Sequence, residues 1–488
     1  MKKVVIVGAG LGGLATGITL VKAGFHVTIF EKNDHVGGKM MPVQLDDYQF
    51  DFGPNTITMP TVFERVFEEA GERLEDYLEL IKLEHHTNNH FMDGSFFAMT
   101  TNHDDMVKQF QQLDPHAQVS YSDYLEDVKF LYETAEKHFF YRTFSSWTDY
   151  TNLSLLKALL QVRPFETMDQ FHRRYFENEN IRHAFNRYAT YIGSSPYVSP
   201  ATFALIGHLE MTDGVYYVKG GNTNIAKAFA QVFEKLGGSL HTNCEVETLI
   251  VKDKRINGVE LKGKEKVDAD IVVVNGDLLK AYPMLVKEED RPRFSNQKIQ
   301  SYEPSISAYV IMAGTKERHE NLIHHQVYFS GNYEQEFHEL FVKKQLPSDP
   351  TIYICNSSYT DRDISPGDNL FILVNAPAVT PGQQIDEEGY KEVIYTKLKS
   401  FGIDVSSKLA VEKVVTPSEI ERKFGSYRGA LYGISSNRKI DSFLRPSNVA
   451  KDVDHLYFVG GTTHPGGGSP MVTISGLNVG HLLIDRYR

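Results

Sequence analysis

The apolar run Val4-Val5-Ile6-Val7 passes directly into Gly8-Ala9-Gly10-Leu11-Gly12-Gly13. The run is too short and too β-branched for a helix, and the glycines end it, so it reads as a strand entering a turn. An Ala/Leu-rich segment follows, then a second apolar run, Val27-Thr28-Ile29-Phe30, and then Glu31. Few folds accept strand, glycine turn, helix, strand and acid in that order. Gly8, Gly10 and Gly13 fall on the G-x-G-x-x-G spacing of a dinucleotide-binding βαβ unit. In such a unit Gly8 makes the tight turn, Gly10 lets a pyrophosphate approach the backbone, and Gly13 lets the helix pack close to the sheet. The helix N-terminus offers free N–H groups and partial positive charge to phosphates. Glu31 stands where a carboxylate accepts hydrogen bonds from ribose hydroxyls.

Gly37-Gly38-Lys39 narrows the choice of dinucleotide. A second glycine pair just past the ribose acid suits the extended FAD better than NAD; the competing reading is a surface turn. Beyond it, Tyr48-Gln49-Phe50-Asp51-Phe52-Gly53-Pro54 reads as a strand closing on a Gly-Pro turn. Residues 61–82 carry Val62, Phe63, Val66, Phe67 and Ala70 at helical spacing, with Gly71 as a candidate stop. Residues 83–104 suit a strand pair around Asp93-Gly94, and 105–215 are mostly helical in period.

Within that helical stretch, Leu153-Ser154-Leu155-Leu156-Lys157-Ala158-Leu159-Leu160-Gln161-Val162-Arg163 stands out. The favoured reading is a core helix; the other is a patch dipping into lipid headgroups, with Lys157 and Arg163 at its rim. Nucleotide-domain character returns at Tyr217-Val218-Lys219-Gly220-Gly221, with an amphipathic helix over 224–236 and strands over 244–251 and 269–276. Ile306–Met312, Thr351–Cys355 and Leu370–Val374 read as strands of a separate sheet. Finally Leu456-Tyr457-Phe458-Val459-Gly460-Gly461 is a strand ending in glycines, followed by a Gly/Pro loop and a helix from about 472 to 486. The chain therefore returns at its end to the domain it began.

Composition excludes some partners. The formal net charge of −12, without a basic cluster, argues against nucleic acid. Cys244 and Cys355 have no metal or redox spacing and fit buried thiols in a reducing compartment. Lys2-Lys3 before an apolar stretch imitates a signal peptide, but five glycines from Gly8 to Gly17 argue against one. No uncharged apolar run reaches the roughly 18 residues of a bilayer span. The expectation is a cytoplasmic protein that touches a membrane surface peripherally. No metal cluster and no nucleophilic triad is evident, and no catalytic side chain is assigned. His464 reads as a structural residue of the Pro465 turn rather than a base, Asp51 as a turn residue rather than an acid, and His85-His86 as solvated surface.

With both ends read, the sequence resembles the carotenoid (phytoene) desaturase family of FAD-dependent oxidoreductases over essentially its whole length. The residues carrying this are Gly8–Gly13 with Glu31, Val36-Gly37-Gly38-Lys39, Phe50-Asp51-Phe52-Gly53-Pro54, Tyr217–Gly221, and Leu456–Gly461 continuing through Thr462-Thr463-His464-Pro465-Gly466-Gly467-Gly468. The first three are shared with monoamine-oxidase-like flavoproteins and identify FAD only; the His-Pro-Gly end is more specific. The closest likeness is to the bacterial C30 branch, which handles dehydrosqualene-derived polyenes and contains both desaturases and terminal-methyl oxygenases. Arg142-Thr143-Phe144 looks like the desaturases, whereas Pro465–Thr473 looks closer to the oxygenases.

The resemblance implies an α/β fold: a Rossmann-like, amine-oxidase-like FAD domain over 1–82, 214–280 and 450–488. A mixed-sheet substrate domain would cover 83–104 and 281–449, and a helical, membrane-facing insert 105–213. FAD would lie against Gly8, Gly10, Gly13, Glu31, Gly37, Gly38, Lys39, Gly53, Pro54, Gly460, Gly461, Pro465, Gly466, Gly467 and Met471. Val246 would meet the adenine through its backbone, as the corresponding valine does in related flavoproteins. The implied reaction is hydride transfer from an allylic C–H to the flavin, then proton loss to give a conjugated double bond. The substrate would be a lipophilic polyene held by apolar area, at about 25 cal/mol per Å², and quinone or dioxygen would reoxidise the flavin. An amine oxidase and a non-enzymatic prenyl-binding escort are the competing readings.

Overall fold

In a computed structural model, which describes residues 2–144, 148–149, 152–382 and 385–488, the opening strand lies at the middle of a five-stranded sheet. Its order is Leu456–Val459, Ile271–Asn275, Lys3–Val7, His26–Phe30, Ser239–His241, and every pairing is parallel. Val4, Val5 and Ile6 are all buried, as a parallel strand covered on both faces requires. On one face Val4, Ile6, Ile271 and Val273 pack under helices Leu11–Lys22, Asn224–Lys235 and Ser469–Tyr487. On the other, Val5, Val272 and Val274 meet a three-stranded sheet of Val246–Lys252, Arg255–Leu261 and Lys266–Asp268. The two chain ends touch closely. A Cβ at Gly476 would stand 2.2 Å from the Gly12 carbonyl oxygen, and the Thr16 hydroxyl donates to the Gly476 carbonyl at 3.0 Å.

A second sheet has seven strands in the order Leu409–Val415, Ser307–Thr315, Asn369–Ala376, Ile352–Asn356, His325–Tyr328, His85–His90, Phe96–Thr100. Ser307–Thr315 is buried along its whole length. The helices His103–Leu113, Pro115–Ala135, Met168–His172 and Glu179–Asn186 enclose an aromatic core in which Phe176 and Phe185 stack at 4.1 Å.

Three expectations are corrected. The helix foreseen over 61–82 is Pro60–Ala70, stopped by Gly71 at φ 82°; Leu80–Leu83 is instead a strand antiparallel to Val215–Val218. A partner more than a hundred residues away overrides local periodicity there. His86 is fully buried rather than solvated, because its strand runs between two others, and burial pushes its imidazole down to about 3. Leu153–Gln161 is not a core helix. It buries Leu155 and Ala158 but leaves Leu153, Leu156 and Leu160 exposed by 83, 47 and 57%.

One buried acid gives the fold a pH signature. Glu336 accepts hydrogen bonds from the Ser330 and Thr351 hydroxyls at 2.9 and 2.6 Å, and burial raises its carboxyl to about 7. The folded state then binds the proton more tightly than the unfolded chain, whose value is 4.5. Its stabilising contribution is complete below pH 4.5 and lost as pH rises through about 7. Glu336→Gln, which resembles the neutral acid, is expected to raise unfolding free energy by about 3 kcal/mol at pH 8 and by almost nothing at pH 4. Urea midpoints at both pH values check this; equal effects at the two would refute it.

Candidate active site

A cavity of about 580 Å³ opens along the carboxyl ends of the parallel strands, and the opening glycine turn forms one wall. Its three fingerprint glycines do different jobs. Gly8 has φ 102°, and a Cβ there would lie 2.4 Å from the Asn275 carbonyl oxygen. A Cβ on Gly13 would lie 2.4 Å from the Gly8 carbonyl oxygen. Gly10 has an ordinary φ of −72° and itself lines the cavity. Helix Leu11–Lys22 starts on Gly10 with no side-chain cap, so its first N–H groups are open to a ligand.

Glu31 is 4% exposed and lines the same cavity. Its Oε2 accepts from Ala9 N–H at 2.8 Å, and its Oε1 from the Asn33 backbone and side chain at 2.9 and 2.8 Å. Gly37 and Gly38, at φ 102° and 60°, form a second loop laid on the first: Gly37 N–H donates to the Ala9 carbonyl at 2.8 Å. They are part of the cavity wall, not a surface turn. Lys39 donates to the carbonyls of Ala430 and Leu431 at 2.8 and 2.7 Å, and burial lowers its ammonium to about 8 against the opposing pull of Asp277. Gly53, Pro54, Val246, Gly460, Gly461 and Gly467 complete the expected lining, and helix Ser469–Tyr487 begins beside them on Gly468.

Four foreseen residues stand behind the wall rather than on it. Gly13 packs on the turn, a Cβ on Gly466 would meet the Arg445 guanidinium at 3.3 Å, and Met471 packs against the helical core. Pro465 follows His464 through a cis peptide. The His464 Nε2 lies 2.7 Å from the Phe139 carbonyl oxygen, and burial pushes the ring down to about 4. It is neutral at physiological pH and donates to that carbonyl, which anchors the loop. Asp51 is a long-range anchor. Its carboxylate accepts from the N–H groups of Asn222 and Thr223 at 2.9 and 3.2 Å, while burial raises its pKa.

Sequence reading missed two residues at the end of Ile271–Asn275. The Asn275 amide donates to the Gly8 carbonyl at 3.2 Å and props the glycine turn. Asp277 accepts from Leu279 N–H at 3.1 Å, the Thr462 hydroxyl at 3.0 Å and Tyr427 N–H at 2.8 Å, tying three wall segments together. The available signal was their place just past a buried parallel strand, where such sheets bind ligands. Tyr432 and Gly433, also on the wall, sit in a stretch without any motif.

One stretch of the cavity wall differs in character. Phe52, Ala308, Val310, Phe371, Leu373 and Phe424 form it, drawn largely from the seven-stranded sheet. Charged residues line the rest: Glu245, Glu247 and Lys262 in or next to the small sheet, and Lys32, Lys39, Asp277 and Lys280 elsewhere on the wall. The site is thus one cavity with a polar, glycine-lined trough and an apolar stretch of wall.

Comparison with known proteins gives this geometry a family. Residues 11–481 match the family described as flavin containing amine oxidoreductase. The 4,4'-diaponeurosporene oxygenase of Staphylococcus haemolyticus (strain JCSC1435) is 32% identical over 489 residues, covering 98% of this chain and 96% of that one. The 1-hydroxycarotenoid 3,4-desaturase of Flavobacterium sp. (strain P99-3) is 34% identical over 484 residues, covering 97% of each. Among solved structures, an oxidoreductase from Methanosarcina mazei superposes with TM-score 0.61 at 18% identity, over 98% of this chain and 99% of that one, which shows a shared fold. The cofactor is FAD, and the side-chain-free backbone of Gly10 on the cavity wall suits its pyrophosphate. The chain belongs to the flavin-containing amine oxidoreductase family and is an FAD-dependent oxidoreductase.

Proposed function

We propose that this enzyme desaturates an acyclic carotenoid, extending the conjugation of a C30 or related polyene. The observation that carries the reading is the apolar wall of Phe52, Ala308, Val310, Phe371, Leu373 and Phe424 in the same cavity as the glycine trough. A hydrocarbon offers no polar handle, so its affinity has to come from apolar area, at about 25 cal/mol per Å². FAD supplies the hydride acceptor. Gly8, Gly10, Glu31, Gly37, Gly38, Val246, Gly460, Gly461 and Gly467 would hold it along the trough. Lys39 and the N-terminus of Ser469–Tyr487 would set positive charge beside the anionic cofactor. On this reading the five-stranded sheet carries the coenzyme and the seven-stranded sheet walls the substrate.

A second reading, oxygen insertion at a terminal methyl, is favoured by the 32% identity to the staphylococcal oxygenase. Anaerobic incubation of the FAD-loaded protein with lipid-dispersed dehydrosqualene, and with its desaturated product, separates the two. Flavin bleaching with loss of two hydrogens supports desaturation. A product that forms only in air and gains oxygen supports the second reading. Turnover of an amine with both polyenes untouched overturns both. The return of flavin colour on adding dioxygen or a quinone identifies the electron acceptor.

We place the substrate's entry at a membrane surface. Leu153, Leu156 and Leu160 on one helix are exposed together with Phe165 and Ile440, at 71 and 60%. The Lys439 ammonium bonds to the Phe165 carbonyl at 2.9 Å and joins the two segments. A water-insoluble substrate resides in lipid, and Lys157 at the rim suits headgroup phosphates. Among the described residues no helix is long and apolar enough to cross a membrane, so the contact is peripheral. The double variant Leu156→Asp/Leu160→Asp is expected to lose at least about tenfold in flotation with phospholipid vesicles, at unchanged flavin content. Flotation equal to the unmodified protein would remove this surface from the proposal.

A further inference from the structure

The seven-stranded sheet buries a group of metal-donor side chains that flavin chemistry leaves unused. His325 and Cys355 are Cα partners across the antiparallel pairing of His325–Tyr328 with Ile352–Asn356, so their side chains leave the same face of the sheet. His324 joins them from the position just before the strand, its ring centroid 4.6 Å from that of His325. All three are buried, at 1, 1 and 3% exposure for His324, His325 and Cys355. One nitrogen of each ring and the Cys355 sulfur lie within 4.8 Å of one another. Spacing along the chain gives no hint of this group, because strand pairing alone brings the thiol to the histidines.

Each imidazole is held at one nitrogen and bare at the other. His324 Nδ1 lies 2.6 Å from the Thr360 hydroxyl oxygen, and His325 Nδ1 lies 2.9 Å from that of Tyr353. Nε2 of both rings has no partner among the described residues. Two bare ring nitrogens, buried side by side, are unfavourable unless something meets them. A histidine oriented through one nitrogen by an oxygen, with the other left open, has the arrangement of a metal ligand. The Tyr353 hydroxyl also meets the Cys355 thiol, so it braces two of the three donors.

We propose that His324, His325 and Cys355 bind a zinc(II) ion through the thiolate and one nitrogen of each ring. Three atoms no more than 4.8 Å apart share a centre within about 2.8 Å of each, against zinc bonds of about 2.0–2.3 Å. Side-chain movements under about 1 Å therefore close the site, and a water fills the fourth position. Two imidazoles and a thiolate suit zinc, whereas magnesium and calcium require oxygen ligands. Burial raises the pKa of the Cys355 thiol, so the metal-free group stays protonated, and binding releases that proton to solvent. The Asp51 carboxylate, whose field reaches Cys355, offsets the ion's remaining charge against the Arg187 guanidinium, whose field reaches His325. Cys355 pairs on its other side with Phe371 of the cavity wall, so the ion would staple the strands behind that wall. The site is independent of which substrate the enzyme takes.

The test uses the full FAD-loaded chain, freed of metal with a chelator and then given cobalt(II) or zinc(II). Cobalt is expected to produce the ligand-field bands of a four-coordinate thiolate site, to the red of the flavin absorption, and zinc to abolish them. About one zinc per chain should survive gel filtration, with one proton released as it binds. Cys355→Ala is expected to lower retained zinc at least about tenfold and to remove the cobalt bands, whereas Cys244→Ala keeps both. The cobalt spectrum of the unmodified protein needs no variant to fold. Absence of those bands, with retained zinc below about a tenth of an equivalent, overturns the site, its bare nitrogens then being met by water. Equal zinc retention by Cys355→Ala and the unmodified protein, or loss of the bands in Cys244→Ala, overturns it as well.

Discussion

Gly10→Val is expected to give a colourless protein that still folds. Gly10 has φ −72° and ψ 171°, backbone values that any residue adopts, so the variant carries no intrinsic strain. A Cβ at this position meets the Asn275 amide nitrogen at 2.7 Å, and the two methyl groups of valine add further bulk where Gly10 walls the trough. Displacing that amide removes its 3.2 Å bond to the Gly8 carbonyl, a loss of about 1 kcal/mol. The pyrophosphate's close approach to the backbone is lost altogether. The ratio of flavin to protein absorbance in the purified variant should fall at least about tenfold. Its unfolding free energy should lie only about 1 kcal/mol below that of unmodified protein stripped of FAD. Full flavin occupancy would mean that the pyrophosphate lies elsewhere. Gly13 cannot serve for this test, because its Cβ would strike the Gly8 carbonyl oxygen at 2.4 Å and disturb the fold first.

The contrast between those glycines shows how far the sequence could be read. The opening unit was legible because everything needed lies within about thirty residues of period-2 strand, glycine turn and period-3.6 helix. The closing strand and helix were legible for the same reason, and so was the return of the chain to its first sheet. What stayed hidden depends on distant partners. Leu80–Leu83 is a strand only because Val215–Val218 runs beside it. The strand His85–His90 is polar enough to look solvated, yet the two strands flanking it bury His86 and Asn89 completely. Asn275 and Asp277 have no spacing signature; their roles arise where Gly8, Thr462 and Tyr427 converge on them in space. Leu153–Gln161 illustrates a different limit. An apolar-rich helix has the same period against a core or against lipid, and only its exposed leucines separate the two.

Asp51→Ala is expected to be among the most damaging single changes in the chain, although it lies in a hairpin and not in the central sheet. Strands Met41–Leu45 and Tyr48–Phe52 pair antiparallel, and Phe50 and Phe52 pack on the seven-stranded sheet. Strict alternation then turns Asp51 the opposite way, toward Gly221, Asn222 and Thr223. Helix Asn224–Lys235 has no side-chain cap of its own. The carboxylate of Asp51, more than 170 residues earlier, takes that role by accepting two buried N–H groups at its start. Gly221, at φ 110°, permits the approach: a Cβ there would lie 2.9 Å from Asp51 Oδ1. Alanine orphans both donors and removes the anion, a loss of about 4 kcal/mol. Asparagine keeps one acceptor and should lose about half of that. Ala226 of the same helix backs Gly37, so flavin retention should fall in the same order as stability. Urea unfolding and flavin content of the two variants test this together. A loss under about 1 kcal/mol for Asp51→Ala, with flavin retained, would return Asp51 to the role of an ordinary turn residue.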